Sequence, residues 1–152
     1  MMGRGHMGTG LATSSYLVYS GLEPIVMGIL AATIFIGSVF PDRMEKIGPI
    51  RILAHRGLSH WILGWVAVFS GSFYYVNANP DQIWVWGIVG LSFGSLVHIM
   101  GDVPNYQKVP LFSLKPSFSL GLWKSGKNDF AIILALLLPH LYLGRGFLAN
   151  VS

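Results

Sequence analysis

Four stretches of the chain are apolar almost without interruption: residues 24–40, 61–76, 83–100 and 129–147. None carries a lysine, and the only arginine is Arg145, near the end of the fourth. Segments that are hydrophobic on every side read as helices buried in lipid. At about 16–19 residues they fall slightly short of the ~20 that a bilayer asks for. Flanking residues must then sit in the hydrocarbon edge, or the bilayer must thin. Residues 8–20 are also apolar but rich in Gly, Ser and Thr, and they stop at Gly21-Leu22-Glu23-Pro24, a turn or helix-start signal. With no basic run and no small-residue cleavage site, this stretch is not a signal peptide. Small residues let helices approach closely in lipid, so it predicts a short first segment. The expectation is an all-α, multi-pass transmembrane helical bundle of five segments, one membrane-embedded domain over residues 1–152.

Composition points the same way. Hydrophobic residues make up 53% and charged residues 11% of the 152, against about 25% charged in soluble domains. Mean hydropathy is +0.58. A soluble globular enzyme is disfavoured, and ten basic against six acidic residues are too few for a nucleic-acid footprint. No cysteine is present, so any metal must be held by imidazole and carboxylate.

Five crossings put Arg4, the loop 41–57 and the loop 101–128 on one side, with every basic residue but Arg145. The positive-inside rule makes that side cytoplasmic, with the N-terminus inside and the C-terminus external. Four crossings would also keep the two basic loops inside but would place Arg4 and His6 outside. The loop 103–128 carries three prolines, several lysines and Tyr106, Phe112, Leu114, Phe118 and Trp123, too apolar for a solvated linker. It is expected to lie along the headgroups as an interfacial cytoplasmic loop, either as a lid or as a resting surface.

The same topology gathers the scattered polar groups at one membrane edge. His6 precedes the first segment, Asp42 ends the second, His55 and His60 open the third, and His98 and Asp102 close the fourth. His98 and Asp102, four apart on a helix, share a face and suit zinc, manganese or iron; a carboxylate orienting a lone histidine is the plainer alternative. His55 and His60 can face one site only if a helix starts between them, where Gly57 supplies a break and Ser59 a cap or an orienting bond. Six ligands exceed the need of one zinc, so one or two ions fit the set, and such a pair can activate water. Arg56 is suited to gripping a phosphate or carboxylate, or is a plain inside-facing anchor. His140, after Pro139, lies towards the outer half of the last helix and reads as a hydrogen-bonding residue at a kink.

The set Pro41-Asp42, His55-Arg56-Gly57-Leu58-Ser59-His60 and His98-Ile99-Met100-Gly101-Asp102, with the later Val109-Pro110-Leu111-Phe112-Ser113, resembles the YdjM family. That resemblance runs from His6 to about Pro116. It implies a bacterial or archaeal inner (cytoplasmic) membrane protein of a kind described as metal-dependent hydrolases, with a histidine at the place of His6 in the site. Two departures stand out. Ser59 replaces a frequent threonine, keeping the hydroxyl, and Met44 stands where an acidic residue often follows the Pro-Asp step, so a ligand is missing there. The expected function is a membrane-bound metal-dependent hydrolase of an ester or phosphoester, in a lipid or membrane-linked substrate at the cytoplasmic face. His60, His98 and Asp102 would hold the principal ion, zinc or manganese, with His6, Asp42 and His55 completing the site. Asp42 or Asp102 would be the base and Arg56 the anion clamp. The alternative is a non-catalytic accessory or scaffold protein whose cluster staples helix ends. A small ion transporter is less well served, since the span interiors offer few polar groups. Membrane lipids are the expected partners, with a membrane protein or a second copy as further ones.

Overall fold

The computed structural model describes residues 1–47 and 50–143. Among them are six α-helices: α1 (Gly3–Ser14), α2 (Pro24–Gly37), α3 (Phe40–Met44), α4 (Ile62–Ala78), α5 (Ile83–Asp102) and α6 (Asp129–Leu137). A 3₁₀ turn prolongs α1 over Ser15–Tyr19, and another leads into α4 over Leu58–His60. Between α3 and α4, Lys46–Ile47 and Ile50–Arg51 pair as a minimal antiparallel ladder. After a turn at Leu138, next to Pro139, the last helix resumes and reaches Leu143. The expected end of that segment at residue 147, and Arg145 with it, lie outside the described residues.

Local chemistry explains where the helices begin and end. Pro24 opens α2, where its missing N–H costs nothing. Pro41 ends it early, because it offers no N–H to the Gly37 carbonyl four residues back. The Ser95 hydroxyl of α5, bonded to Leu91 O at 2.9 Å, also approaches that carbonyl at 3.4 Å. The first helix starts at Gly3, not near residue 8, so His6 sits inside α1 and not ahead of it. Its buried face, Gly5, His6, Thr9, Gly10 and Ala12, is small or polar, so packing and not a hydrophobic run selects the helix.

The length test narrows the five-segment expectation. Among the described residues, Ile83–Asp102 alone is both long and apolar enough to cross a bilayer unaided; its 20 residues reach ~30 Å. With 14 residues α2 reaches ~21 Å, and with 17 residues α4 reaches ~26 Å. The apolar helix Asp129–Leu143 is also short of the test. What the structure supports is an all-helical protein with one clear span and three shorter apolar helices.

α2 packs closely against α5. A side chain at Gly37 would run into the Leu91 carbonyl, and one at Gly94 into the Ile34 carbonyl, so both positions must stay bare. Leu30, Ile34, Val76, Val85 and Val89 form the main core among α2, α4 and α5. A smaller core of Ile99, Val103 and Val109, with Ile62 and Trp65, sits at the other end of α5. The loop 103–128 is folded onto that end. Leu120 N–H donates to Val103 O (2.8 Å), Val109 N–H to Phe118 O (2.7 Å), and Ile62 N–H to Pro110 O (3.2 Å). Its outer side is apolar, with Phe112 at 76% and Tyr106 at 59% exposure. So much bared aromatic and aliphatic surface marks a protein that meets lipid or another apolar partner.

Candidate metal centre

Because α2, α4 and α5 alternate in direction, the end of α2, the start of α4 and the end of α5 lie together, and α1 begins beside them. His60 Nε2 stands 3.2 Å from His98 Nε2. Asp42 Oδ1 lies 3.5 Å from His60 Nε2 and 3.7 Å from His98 Nε2. Asp102 Oδ2 approaches His60 Nε2 at 3.8 Å, and Asp102 Oδ1 lies 3.4 Å from His6 Nε2. The His6 ring stacks on His98 with centroids 3.6 Å apart. Five of the six residues expected as ligands therefore share one centre. His55 stands at its edge: its ring centroid is 6.0 Å from that of His60, and its side chain is 40% exposed.

The tautomers of the central pair follow from their neighbours. The His98 Nδ1–H donates to the Ser38 carbonyl at 2.7 Å, and a carbonyl can only accept. The His60 Nδ1–H donates to Ser59 Oγ at 3.0 Å, because that hydroxyl gives its own proton to Glu45 Oε1 at 2.9 Å. Both Nε2 atoms then carry lone pairs, and the two point at each other across 3.2 Å. Two lone pairs repel at that distance unless a cation lies between them. Donors at ~2.0–2.1 Å from a tetrahedral zinc stand ~3.3–3.4 Å apart. The observed spacings of 3.2–3.8 Å among His60, His98, Asp42 and Asp102 are close to that figure. His6 adds a second sign, since both its ring nitrogens are buried without a hydrogen-bond partner. Buried His and Asp groups here could hold a metal ion: His6, His98 and Asp102 form one set, and Asp42, His60 and His98 another.

Charge states favour the ligating forms. Burial pushes His60 down to about 4, and His98 pushes the same way, while Glu45, Asp102 and Asp42 pull upward without cancelling it. At neutral pH the site thus offers a neutral imidazole and an ionised carboxylate, the forms a metal requires.

Glu45 is the residue that sequence reasoning passed over. It is 1% exposed and gathers three donors: His55 Nδ1 (2.7 Å), Arg56 N (2.8 Å) and Ser59 Oγ (2.9 Å), with His60 Nδ1 3.1 Å away and bonded to the Ser59 hydroxyl. The acid missing at Met44 is thus supplied one residue later. Spacing gave a usable signal: positions 42 and 45 are three apart and meet on one side of the short α3 turn. Ser59 does not cap α4, which starts at Ile62 without a side-chain cap; its hydroxyl donates to Glu45.

Arg56 is also placed differently from expectation. Its φ of +56° is left-handed, uncommon for a residue with a side chain, and turns the chain inward at His55-Arg56-Gly57. One terminal nitrogen pairs with Asp102 Oδ2 at 2.7 Å and the other donates to Gln107 O at 2.6 Å. The guanidinium is buried and committed to a ligand and to the loop, not displayed to a substrate. The Met1 amine donates to Asp102 Oδ1. His140 stands apart, beside the 3₁₀ turn after α1. Its Nε2 pairs with Ser15 Oγ (2.8 Å), its Nδ1 with Tyr19 Oη (3.1 Å), and its ring stacks on Tyr16.

The family described as YdjM inner membrane protein matches residues 1–150, and the chain belongs to it. No curated protein and no solved structure matches it.

Proposed function

For this member of the YdjM inner membrane family, we propose a metal-dependent hydrolase that cleaves an ester or phosphoester of a membrane-linked substrate at the cytoplasmic face. The observation that carries the reading is the approach of His60 Nε2 to His98 Nε2, 3.2 Å apart and flanked by Asp42 and Asp102. His60, His98, Asp42 and Asp102 would hold the principal ion. His6, stacked on His98, is the further ligand on the buried side, and His55 on the open side. Zinc or manganese suits these nitrogen and oxygen donors. When bound, such an ion would supply Lewis acidity and lower the pKa of water.

The chain's own residues divide the remaining work. Asp42 is the ligand with an open flank, its side chain 42% exposed, and it is the base positioned to take a proton from incoming water. The C–O or P–O bond then breaks, with the oxygen of water going to the acyl or phosphoryl centre and the proton to the leaving alcohol. Asp102 is buried against Arg56 and His6, so it orients and balances charge. Arg56 is a positioning residue for Asp102. Glu45 orients His55 directly and His60 through the Ser59 hydroxyl, as a carboxylate behind a metal-binding histidine does.

The same reading includes five membrane segments, with the N-terminus and the loop 103–128 on the cytoplasmic side and the C-terminus external, as the basic residues favour. The test is to purify the full chain in nanodiscs, count metals by mass spectrometry, and follow hydrolysis of chromogenic esters and phosphoesters. Bound divalent metal and turnover that both disappear in His98→Ala are expected. Turnover that survives metal stripping and the His98→Ala/Asp102→Ala double change would overturn the proposal.

A second reading is a non-catalytic accessory protein in which the cluster staples four helix ends. It draws support from the depth of His60 and His98, both at 0% exposure. It predicts loss of stability or of partner binding on removing the cluster, with no turnover at any time.

A further inference from the structure

A cavity of about 410 Å³ runs between α1, α5 and α6 and ends at the loop after Asp102. It falls in the range of small-ligand sites, roughly 300–1,000 Å³. Thr9, Leu96, Val97, Met100, Trp123 and Leu136 are among its walls, which are apolar almost throughout. Gly101 also lines it, and there the wall is bare backbone. A methyl group on Gly101 would meet the Met1 side chain first and stand 3.7 Å from His6 Nδ1. That nitrogen is buried and has no hydrogen-bond partner. The inner end of the cavity is thus one backbone thickness from the His6–Asp102 side of the metal centre.

We infer that this groove holds the hydrocarbon chain of a membrane lipid, with its polar head at the His6–Asp102 end of the cluster. Three observations single out a lipid chain. The chain belongs to an inner membrane family, so lipid is the medium around these helices. The groove is apolar almost throughout and stops at the Gly101 backbone, with His6 just behind it, a match for the tail of an amphiphile lying along α5. Trp123 lines it beside the exposed Lys124, which suits an anionic head. The inference rests on the hydrolase reading only for what happens to the head; the placement of the tail stands separately. It makes an acyl-chain amphiphile the substrate class.

The test uses the full chain in phosphatidylcholine nanodiscs doped with phosphatidylglycerol bearing a diazirine at the end of one acyl chain. After irradiation, the labelled residues are mapped by mass spectrometry. Labelling concentrated on residues 93–100 and 132–136 is expected. Val97→Trp and Leu136→Trp, which fill the groove from opposite walls, should each reduce it by roughly tenfold, about 1.4 kcal/mol of binding. Metal content and melting temperature report whether either variant has misfolded, and Leu141→Trp, outside the groove, should leave labelling unchanged. Even labelling around every lipid-facing helix, or cross-links to a second copy in place of lipid, would overturn the inference. So would labelling that persists in folded variants of both walls. Groove labelling without hydrolysis of any substrate supports the inference and counts against the hydrolase reading alone.

Discussion

Replacing Glu45 by Gln is the sharpest test of how the centre is held. The side chain keeps its size and one accepting oxygen but loses its charge. Three donors converge on the native carboxylate at 2.7–2.9 Å, His55 Nδ1, Arg56 N and Ser59 Oγ, and the Ser59 hydroxyl accepts in turn from His60 Nδ1. Without that charge the His60 imidazole is a poorer base and is free to turn, so its Nε2 lone pair is less firmly aimed at Asp42 and His98. Losing such an orienting partner weakens metal binding by about 10–100-fold, or roughly 1.4–2.7 kcal/mol. Glu45→Ala is more severe, because it strands buried donors; breaking a buried charged network this way costs about 3–5 kcal/mol of stability. The assay is a competition titration of zinc against a chromophoric chelator, with the variant in the same nanodiscs as the wild type. An affinity for Glu45→Gln within twofold of wild type would refute the argument that Glu45 orients the ligands.

Other outcomes follow from the same geometry. Arg56→Met should strand Asp102 and loosen the loop at Gln107, lowering the melting temperature and slowing turnover; unchanged KM for an anionic substrate would fit a positioning role, and a large rise in KM would refute it. His60 is held near 4 against an ordinary value of 6.5, so the unfolded chain binds more protons between those values. In metal-free protein its contribution to stability is therefore full above pH 6.5 and is lost as pH falls toward 4. Melting curves from pH 7 to 4.5 should show that decline, and His60→Asn should flatten it. Gly94→Ala drives a methyl into the Ile34 carbonyl and should destabilise by about 1–3 kcal/mol in a chemical denaturation series. His140→Ala removes its contacts with Ser15 and Tyr19, costing about 0.5–1.5 kcal/mol per hydrogen bond, and should leave zinc affinity untouched.

Much of this arrangement was legible in the order of residues, for identifiable reasons. Apolar runs placed α4 and α5 to within two residues at every end, since no Asp, Glu, Lys or Arg interrupts them. The alternation of short and long connections implied that Asp42, His60, His98 and Asp102 would arrive at one end, where they lie within 3.2–3.8 Å of one another through His60 and His98. Less visible were features set by tertiary packing. α1 begins at Gly3 because Gly5 and Gly10 admit close neighbours, a property that hydropathy does not score. α2 stops at Gly37 because of a proline four residues later, which shortened a segment that composition alone ran on to residue 40. Glu45 and Arg56 took their roles from a five-residue helix and one left-handed backbone angle, and neither leaves a periodic trace.

The centre draws its side chains from four separate helix ends, from His6 to Asp102. During synthesis, the histidine that emerges first must wait for nearly a hundred residues before the carboxylate it faces leaves the ribosome. α2 can cover part of the small face of α1 early, through the close approach of Ser38 to Gly10, but until α5 is made the pocket has no floor. Assembly of the centre is thereby ordered in time: its side chains can meet only once α5 is in place, although the helix that carries the first of them was made long before.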